Sequence, residues 1–223
     1  HWLAEIAAGA PASVALTEED GNWRLQEISA TAVATGDALT LSGTKCFVLD
    51  ALQAQVVVAS VMLEGAGRLI AIHADQIPAG ALAREVVIDE TRRSYTLQLD
   101  GISIPQSQLL EGADFAALEQ AALLLLVAEM SGGLAGVLHV IIDYLTTRKQ
   151  FDQYIGSYQS LKHPSVQILL SMEACRSHLY HAATVMATGS ADAAEEAVRM
   201  AKAQGSEAFA FAGDRAVQLP ADG

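Results

Sequence analysis

The segment 121–142 constrains the fold more than any other part of the chain, because nearly every residue in it is apolar. Apart from glycines, the interruptions are Glu129, Ser131 and His139. A helix that is apolar on all sides is normally buried, either among other helices or in a membrane. We therefore expect one long helix over about 114–149 that is buried on every side, with His139 as a hydrogen-bonded core histidine and Glu129 as a buried, paired carboxylate.

A membrane span is the alternative interpretation of this helix. The segment is long enough to cross a bilayer, and Gly132 with Gly136 forms a G-x-x-x-G pair. Arg148 and Lys149 would supply a positive flank. Against a span, Glu129 would lie near the bilayer centre, where a carboxylate is costly. We favour a buried bundle helix in which the glycines allow close helix contact, and we expect no membrane span.

The segment after this helix is unusual for a connector. Residues 148–156 read Arg-Lys-Gln-Phe-Asp-Gln-Tyr-Ile-Gly, whereas connectors are usually rich in Gly, Pro, Asn, Asp or Ser. Cations, amides and rings in this density suit a helix end that contacts a ligand. In the alternative interpretation, Arg148 and Lys149 only complement the helix dipole, and Phe151 fills the end of a bundle.

Upstream of the long helix, the hydrophobic period is two. Gly36-Asp37 separates two such stretches and is a hairpin turn signal. Short strands at regular spacing, with no helical pattern between them, indicate a sandwich or a small barrel. The expected strands are 13–18, 30–35, 38–45, 46–50, 56–61, 69–73, 83–88, 95–99 and 102–105.

Downstream, the period is that of helices. A second helix is expected from near Pro164, which suits a first turn, to about Thr188, with Gly189 as its stop. A third is expected to be capped by Asp192 and to continue to about Leu219. Three long helices are most of an antiparallel bundle.

The predicted fold class is therefore α+β, with a small β-barrel or sandwich domain followed by an antiparallel helical bundle. The expected domains are the end of an N-terminal helical domain (1–12), the β domain (13–110) and an incomplete C-terminal bundle (111–223). Since a helical pattern is already under way at the first residues, we expect the chain to be part of a longer protein.

Composition excludes some functions. With 52% hydrophobic and 17% charged residues, the chain can form a sizeable core, which argues against disorder. A net charge of −13 argues against nucleic acid as a partner, because phosphate backbones need a basic surface. Cys46 and Cys175 are far apart in the sequence, which favours a reducing, cytoplasmic location.

Familiar catalytic motifs are absent from the sequence. It contains no Gly-rich dinucleotide or nucleotide loop and no G-x-S-x-G or H-E-x-x-H motif. His178 and His181 share a helix face at i, i+3, but without carboxylate neighbours they favour a packed or solvated pair. We expect no metal site.

Five segments, taken in order, resemble motifs of the acyl-CoA dehydrogenase family. Residues 148–163 are similar to its R-x-x-F-G-x-x-I-x-x-F-Q-x-x-x-H signature, and 15–18 to its A-L-T-E segment. Residues 41–50 resemble its L-x-G-x-K-x-(W/F)-(I/V)-x-(N/D) strand, and 97–105 its F-D-G-V-x-V-P exit from the β domain. Residues 216–219 resemble the start of its Q-L-H-G-G turn. The matches span nearly the whole chain.

The resemblance implies an FAD enzyme that oxidises the Cα–Cβ bond of an acyl-CoA thioester in fatty acid or steroid side-chain catabolism. It also implies electron transfer to an electron-transfer flavoprotein and assembly as a homotetramer or heterotetramer. By carry-over, the flavin-ring contacts are Leu16, Thr17, Phe47, Val48 and Leu49. Contacts to the pyrophosphate and adenine half of a neighbouring subunit's FAD are Arg148, Gln150 and Phe151, with further amides from Gln159 and Gln218.

The catalytic base is the main departure from the family pattern. One group in the family carries a catalytic Glu at the position matching Ala122, beside an Arg where this chain has Leu123. Another group carries its Glu in a segment that would follow Gly223. The catalytic residue is therefore unknown. An alternative follows, in which the chain is a subunit without its own base that helps to bind FAD in a hetero-oligomer.

Smaller departures affect the cofactor contacts. Glu19-Asp20-Gly21-Asn22 stands where the family has Pro and a Gly-Ser pair, and Leu49 replaces a Thr or Ser. Asp152 replaces a Gly, and Pro220-Ala221-Asp222 stands in place of His-Gly-Gly.

Overall fold

The chain forms two units, one built of strands and one of helices. The computed structural model describes residues 2–112 and 114–221, with side chains up to Gln218. The units are His1–Phe115 and Ala116–Gly223. This is the predicted α+β class. At the start of the first unit, Trp2–Ala7 is a short helix, α1, and its assignment to a separate N-terminal domain stays a prediction.

Strands of the first unit form two sheets. In one sheet the order is β10-β6-β5-β2-β3-β9, and β1 pairs in parallel with β5; the other sheet has the order β4-β8-β7. The strands are β1 (Ala12–Ala15), β2 (Thr31–Thr35), β3 (Ala38–Ser42), β4 (Thr44–Leu49), β5 (Val56–Leu63), β6 (Ala66–His73), β7 (Leu82–Arg84), β8 (Ser94–Gln98), β9 (Ser103–Pro105) and β10 (Leu109–Leu110).

Both sheets contribute to one apolar core. Residues of β3 alternate between buried and exposed, as the period of two predicts, whereas β5 and β6 contain runs of consecutive buried residues. The core includes Leu39, Leu41, Ile70 and Ile72 from the larger sheet and Val48 and Leu97 from the smaller. Gly36-Asp37 forms the predicted hairpin turn between β2 and β3, where Thr35 pairs with Ala38.

Several strand predictions are wrong in their bounds; the predicted strand 13–18, for example, ends at Ala15, and two others differ for a clear physical reason. The predicted strand 38–45 is broken at Gly43, whose φ is +115°. A Cβ at Gly43 would lie 2.9 Å from the Ala30 Cα, so only glycine fits, and the chain turns there into β4. The predicted strand 83–88 is displaced to Leu82–Arg84, because the next side chain, Glu85, bonds across to β4 and β8.

The second unit contains three long helices and a small hairpin. The helices are α2 (Phe115–Thr147), α3 (Gln159–Thr188) and α4 (Ala191–Ala221). The hairpin between α2 and α3 pairs β11 (Lys149–Gln150) with β12 (Gln153–Tyr154). Side chains from the three helices share one apolar core.

α2 is buried on one side only, which contradicts the expected all-round burial. Leu125 and Val140 are 70% and 64% exposed, because α3 and α4 cover a single stripe. Glu129 and His139 are exposed as well, so neither is the buried residue we expected. The buried residues are spaced three or four apart and are Val127, Ser131, Leu134, Leu138, Ile141 and Leu145.

The glycine pair of α2 does not make the close helix contact that we expected. Gly132 and Gly136 have no neighbouring atom within 4 Å of an added Cβ, so they make no close helix contact within the described residues. α2 is long and apolar enough to cross a membrane by length and composition. Its buried stripe joins the core of α3 and α4, which supports the assignment to a bundle.

The helix starts also differ from the predictions. α3 begins at Gln159, so Pro164 lies inside the helix and not in its first turn. It ends at Gly189, as predicted. Ser190, not Asp192, caps α4, since the Ala193 N–H donates to the Ser190 Oγ at 3.3 Å. Ser190 directly precedes the helix, which is the position a capping side chain needs.

Candidate functional site

In the first unit, the end of β1 lies against β4. The Cys46 N–H donates to the Thr17 C=O at 2.9 Å, and the Thr17 hydroxyl donates to the Cys46 C=O at 2.8 Å. Farther along, the Ser13 hydroxyl donates to the Leu49 C=O at 2.5 Å. These bonds bring the two predicted flavin-contacting segments, 16–17 and 47–49, side by side.

A β-bulge at Cys46 and Phe47 shapes this surface. Lys45 pairs with Leu97 and Val48 with Tyr95, so two residues of β4 oppose a single residue of β8. Phe47 has a φ of +57°, which is rare for a bulky residue. The bulge leaves Phe47 52% exposed.

The other predicted ring-contacting residues are distributed unevenly. Leu49 is exposed, and Leu16 and Thr17 are partly buried. Val48 is fully buried in the β core, so its side chain does not reach the surface formed by Thr17 and Phe47. We call the exposed parts of Leu16, Thr17, Phe47 and Leu49 the bulge surface.

Glu85, the residue after β7, supports the bulge. The Phe47 N–H is 3.2 Å from each Glu85 carboxylate oxygen. The hydroxyls of Ser94 and Thr96 donate to the same carboxylate at 2.5 and 2.7 Å. Burial alone raises the pKa of Glu85, but these donors outweigh it and lower the pKa below its ordinary value. No sequence motif pointed to this residue.

Next to the bulge, a buried ion pair joins β4 to the segment after β1. The Lys45 ammonium, which is fully buried, donates to Glu18 at 2.6 Å and to the Ser60 hydroxyl at 2.9 Å. The Ser29 and Ala30 N–H groups also donate to Glu18. Burial raises the pKa of Glu18, but the Lys45, Ser29 and Ala30 donors outweigh it and hold the pKa at about 2.

An open cleft of about 530 Å³ borders Glu18 and is lined by Glu18, Glu19, Asp20, Glu27, Ile28, Ser29 and Thr44. Four of these residues are acidic, so the cleft disfavours a phosphate-bearing ligand. It does not include any residue of the bulge surface. A region that suits phosphate oxygens therefore lies elsewhere in the chain.

The hairpin after α2 is such a region. β11 and β12 are joined by the two-residue turn Phe151-Asp152, in which both residues have positive φ, 51° and 62°. Positive φ at both positions is the type I′ arrangement that a two-residue hairpin prefers. Neither residue is the usual glycine or asparagine. The turn leaves the Phe151 ring 86% exposed.

Tyrosines hold the cations of this hairpin. Arg148 donates to the Tyr144 hydroxyl, and its guanidinium lies 5.5 Å from the centre of the Tyr144 ring. The Lys149 ammonium is 4.7 Å from the centre of the Tyr154 ring. The Tyr158 hydroxyl donates to the Gln150 C=O at 3.2 Å.

The structure brings most of the predicted phosphate-contacting residues together. Arg148, Gln150 and Phe151 lie on the hairpin, and Gln159 is the first residue of α3. Gln218 lies apart in sequence, near the end of α4, where it accepts a hydrogen bond from Arg215 at 3.0 Å.

Sequence reasoning missed the supporting tyrosines of the hairpin, although one signal was available. Tyr144 is four residues before Arg148 on a helix, a spacing at which side chains meet.

The two regions suit different parts of a ligand. The bulge surface offers an exposed aromatic ring and apolar side chains, which suit a flat ring system. The hairpin offers a guanidinium, an ammonium and amides, which suit phosphate oxygens. Ala122, which matches the position of one family base, and its neighbour Leu123 carry no group that can take a proton. Among residues 2–112 and 114–221, no cluster of three or more His, Cys, Asp or Glu could hold a metal.

Comparison with known proteins identifies the family. The model described as acyl-CoA dehydrogenase, C-terminal domain, matches residues 117–220. The sequence is 30% identical to acyl-CoA dehydrogenase FadE12 of Mycobacterium tuberculosis, over 98% of this chain and 59% of that protein. The chain thus spans about 59% of the length of this curated relative.

Solved structures show the same fold. An acyl-CoA dehydrogenase from Geobacillus kaustophilus matches 98% of this chain and 61% of its own, with a TM-score of 0.85 at 20% identity. The structure of PigA with FAD and proline matches 93% of this chain and 57% of its own, with a TM-score of 0.79 at 27% identity. By its sequence and its fold, the chain belongs to the acyl-CoA dehydrogenase family.

Proposed function

We propose that the protein is an FAD-dependent acyl-CoA dehydrogenase that introduces a double bond between Cα and Cβ of an acyl-CoA thioester. The observation that carries the proposal is the 30% identity to FadE12 along 98% of the chain. A relative at 27% identity, PigA, is known with FAD bound, which supports FAD as the cofactor. We further propose that an electron-transfer flavoprotein takes up the electrons and that the protein acts as a cytoplasmic homotetramer or heterotetramer.

In this proposal the bulge surface holds the isoalloxazine ring. Phe47 offers its ring as a packing face, with Leu16 and Leu49 supplying apolar contacts. The Thr17 hydroxyl is committed to the Cys46 C=O, so Thr17 contributes mainly a fixed backbone. Val48 contributes from the core, by fixing the strand that carries its neighbours.

The hairpin holds the pyrophosphate and adenine of an FAD that is shared with a neighbouring subunit. Arg148 can present its planar fork to phosphate oxygens because the Tyr144 ring and hydroxyl fix it from behind. Phe151 is a stacking face for adenine. Gln150, Gln159 and Gln218 supply amide donors and acceptors.

When bound, FAD supplies the hydride acceptor of the reaction. This chain's residues bind and orient it and exclude water from the ring. The carboxylate that takes the α-proton is not assigned to any described residue, since Ala122 and Leu123 have no acid-base group.

The first experiment is a visible absorbance spectrum of the purified protein with FAD, after removal of unbound cofactor. We expect a protein-bound flavin spectrum. In the Arg148→Ala variant, we expect FAD affinity to fall about tenfold to a hundredfold, which is the loss of one charge-assisted hydrogen bond. Arg176→Ala is the matched control, because Arg176 is an exposed helix arginine paired with Glu173 at 3.2 Å. A protein that retains no flavin absorbance after incubation with excess FAD and removal of the unbound cofactor contradicts the proposal.

A second candidate function is a non-catalytic subunit of the same family, favoured by the apolar Ala122 and Leu123. Adding acyl-CoAs of several chain lengths without oxygen separates the two. Bleaching of the flavin supports a dehydrogenase with its own base. A flavin that no acyl-CoA bleaches until a second, base-carrying subunit is added supports the non-catalytic role.

A further inference from the structure

Glu85 has the contacts of a residue that holds a functional surface in place. It lies just past β7, and its carboxylate reaches across the small sheet to β4 and β8. It accepts one backbone N–H and two hydroxyls, from Phe47, Ser94 and Thr96. A carboxylate has about four positions that can accept a hydrogen bond, and these three donors, at the bulge and on the strand opposite it, occupy most of them.

The bulge needs this support for a specific reason. Because two residues of β4 oppose one residue of β8, one backbone N–H of β4 loses its ladder partner. That N–H belongs to Phe47, and Glu85 accepts it at 3.2 Å from either oxygen. Phe47 also has the unfavourable φ of +57°, so the conformation persists only where its surroundings hold it.

The neighbouring residue has its own partner. Cys46 forms both of its backbone bonds with Thr17, so it cannot hold Phe47. Thr96, the residue of β8 opposite the bulge, uses its hydroxyl on Glu85 at 2.7 Å. The outward position of Phe47 therefore depends on one side chain outside its own strand.

We infer that Glu85 is a positioning residue for flavin binding, whose carboxylate fixes the bulge that turns Phe47 outward beside Thr17. The inference rests on the proposed function, because it takes the bulge surface as the binding surface of the isoalloxazine ring. Glu85 acts through the backbone of Phe47 and does not itself contact the ring.

The test measures the dissociation constants of FAD and of riboflavin for the wild type, Glu85→Gln and Glu85→Ala. Riboflavin carries the ring without the pyrophosphate and adenine, so it reports on the bulge surface alone. We expect both ligands to bind about tenfold more weakly to Glu85→Ala, which is the effect of one misplaced contact. Glu85→Gln keeps one acceptor for the Phe47 N–H, so we expect it to recover most of the affinity.

Asp100→Asn is the matched control. Asp100 is also a carboxylate that accepts a backbone N–H, from Gly43 at 2.8 Å, and a hydroxyl, from Ser42 at 2.7 Å, but neither partner belongs to the bulge surface. Its replacement should leave both dissociation constants unchanged. The shape and position of the bound-flavin absorption bands should change in Glu85→Ala and not in Asp100→Asn.

The outcomes separate the inference from the proposed function. If the wild type binds FAD and the Glu85 variants bind FAD and riboflavin equally well, the positioning role is wrong and the flavin assignment stands. If Glu85→Ala weakens FAD but not riboflavin, the residue does not act on the ring, and the inference also fails. If the wild type binds neither ligand, the proposed function fails and the inference fails with it. Should Glu85→Ala not fold, FAD and riboflavin dissociation constants that are unchanged in Phe47→Ala, which removes the ring that Glu85 is inferred to place, would overturn the inference.

Discussion

Removing either partner of the buried Lys45–Glu18 pair should destabilise the first unit, and by unequal amounts. Glu18→Ala leaves the Lys45 ammonium, which is fully buried, with the Ser60 hydroxyl at 2.9 Å as its remaining hydrogen-bond partner. Lys45→Met leaves a carboxylate that still accepts the Ser29 and Ala30 N–H groups. Glu18→Ala leaves the more deeply buried charge without its ion-pair partner, so it should lower the free energy of unfolding more than Lys45→Met does.

The magnitudes follow from these contacts. Leaving one charge of a buried pair without its partner costs about 3–5 kcal/mol, and we expect Glu18→Ala to fall in this range. For Lys45→Met we expect about 1–3 kcal/mol, since the carboxylate keeps its backbone donors and borders an open cleft. The double variant removes both charges and should cost about 2–3 kcal/mol less than the sum of the single changes.

Urea unfolding at neutral pH, followed by tryptophan fluorescence, measures these values. Trp2 and Trp23 both lie in the first unit, so their signal follows the unfolding of that unit. Glu27→Gln is the control, because Glu27 forms an exposed pair with Arg24 at 2.9 Å, and its urea midpoint should not change. Equal costs for the two single variants, or costs that simply add in the double variant, would refute the reasoning.

Further predictions concern acid, the hairpin and the helices. Because the pKa of Glu18 is about 2 in the folded state against an ordinary value of 4.5, the unfolded chain binds more protons between these values. Stability from Glu18 should be complete above pH 4.5 and decline as the pH falls towards 2, and an acid titration of Glu18→Gln should lack this decline. Gly156→Ala places a Cβ 2.7 Å from the Leu145 carbonyl oxygen, so it should lower the melting temperature. Gly132→Ala adds a Cβ in open space on a helix, so it should raise the free energy of unfolding by about 0.5–1 kcal/mol. Asp152→Gly, at a φ of 62°, should also stabilise the protein in thermal melts, by up to about 1 kcal/mol, because glycine adopts positive φ without a steric cost. A loss of stability in this variant would contradict that reasoning.

Much of the fold could be predicted from periodicity. The change from period two to the helical period separated strands from helices, and Gly36-Asp37 and Gly189 marked a hairpin and a helix end where the structure has them. Boundaries failed where a side chain or a steric limit decided them. Gly43 ends β3 because the Ala30 backbone lies close, and that neighbour is distant in sequence.

The burial of α2 could not be read from its composition. An apolar sequence indicates surfaces that can be buried, but the number of neighbours decides which are. In the described residues two helices cover one stripe of α2, so Leu125 and Val140 are exposed while Leu134 is not. The error on Glu129 followed directly from this assumption.

The motif resemblance pointed to residues that could contact a ligand, but it did not show which other side chains hold those residues in position. Thr17, Phe47 and Arg148 lie within recognisable segments. Glu85 acts through a contact with Phe47, which is distant in sequence, and it lies in none of the recognised segments. Lys45 and Glu18 do lie in the recognised segments 41–50 and 15–18, but nothing in either segment predicted that the two side chains pair.

The extra residue in β4 has a consequence for related sequences. Cys46 bonds this strand to the segment after β1, whereas the adjacent Phe47 is exposed to solvent. The strand contact and the exposed ring are therefore two tasks, carried out by two consecutive residues. A relative that lacked one residue between Lys45 and Val48 would have a single peptide for both tasks. Such a protein would lose either the hydrogen bonds between β4 and the segment after β1 or the exposed Phe47 side chain. A gap at this point of an alignment should therefore mark relatives that pack their ligand differently.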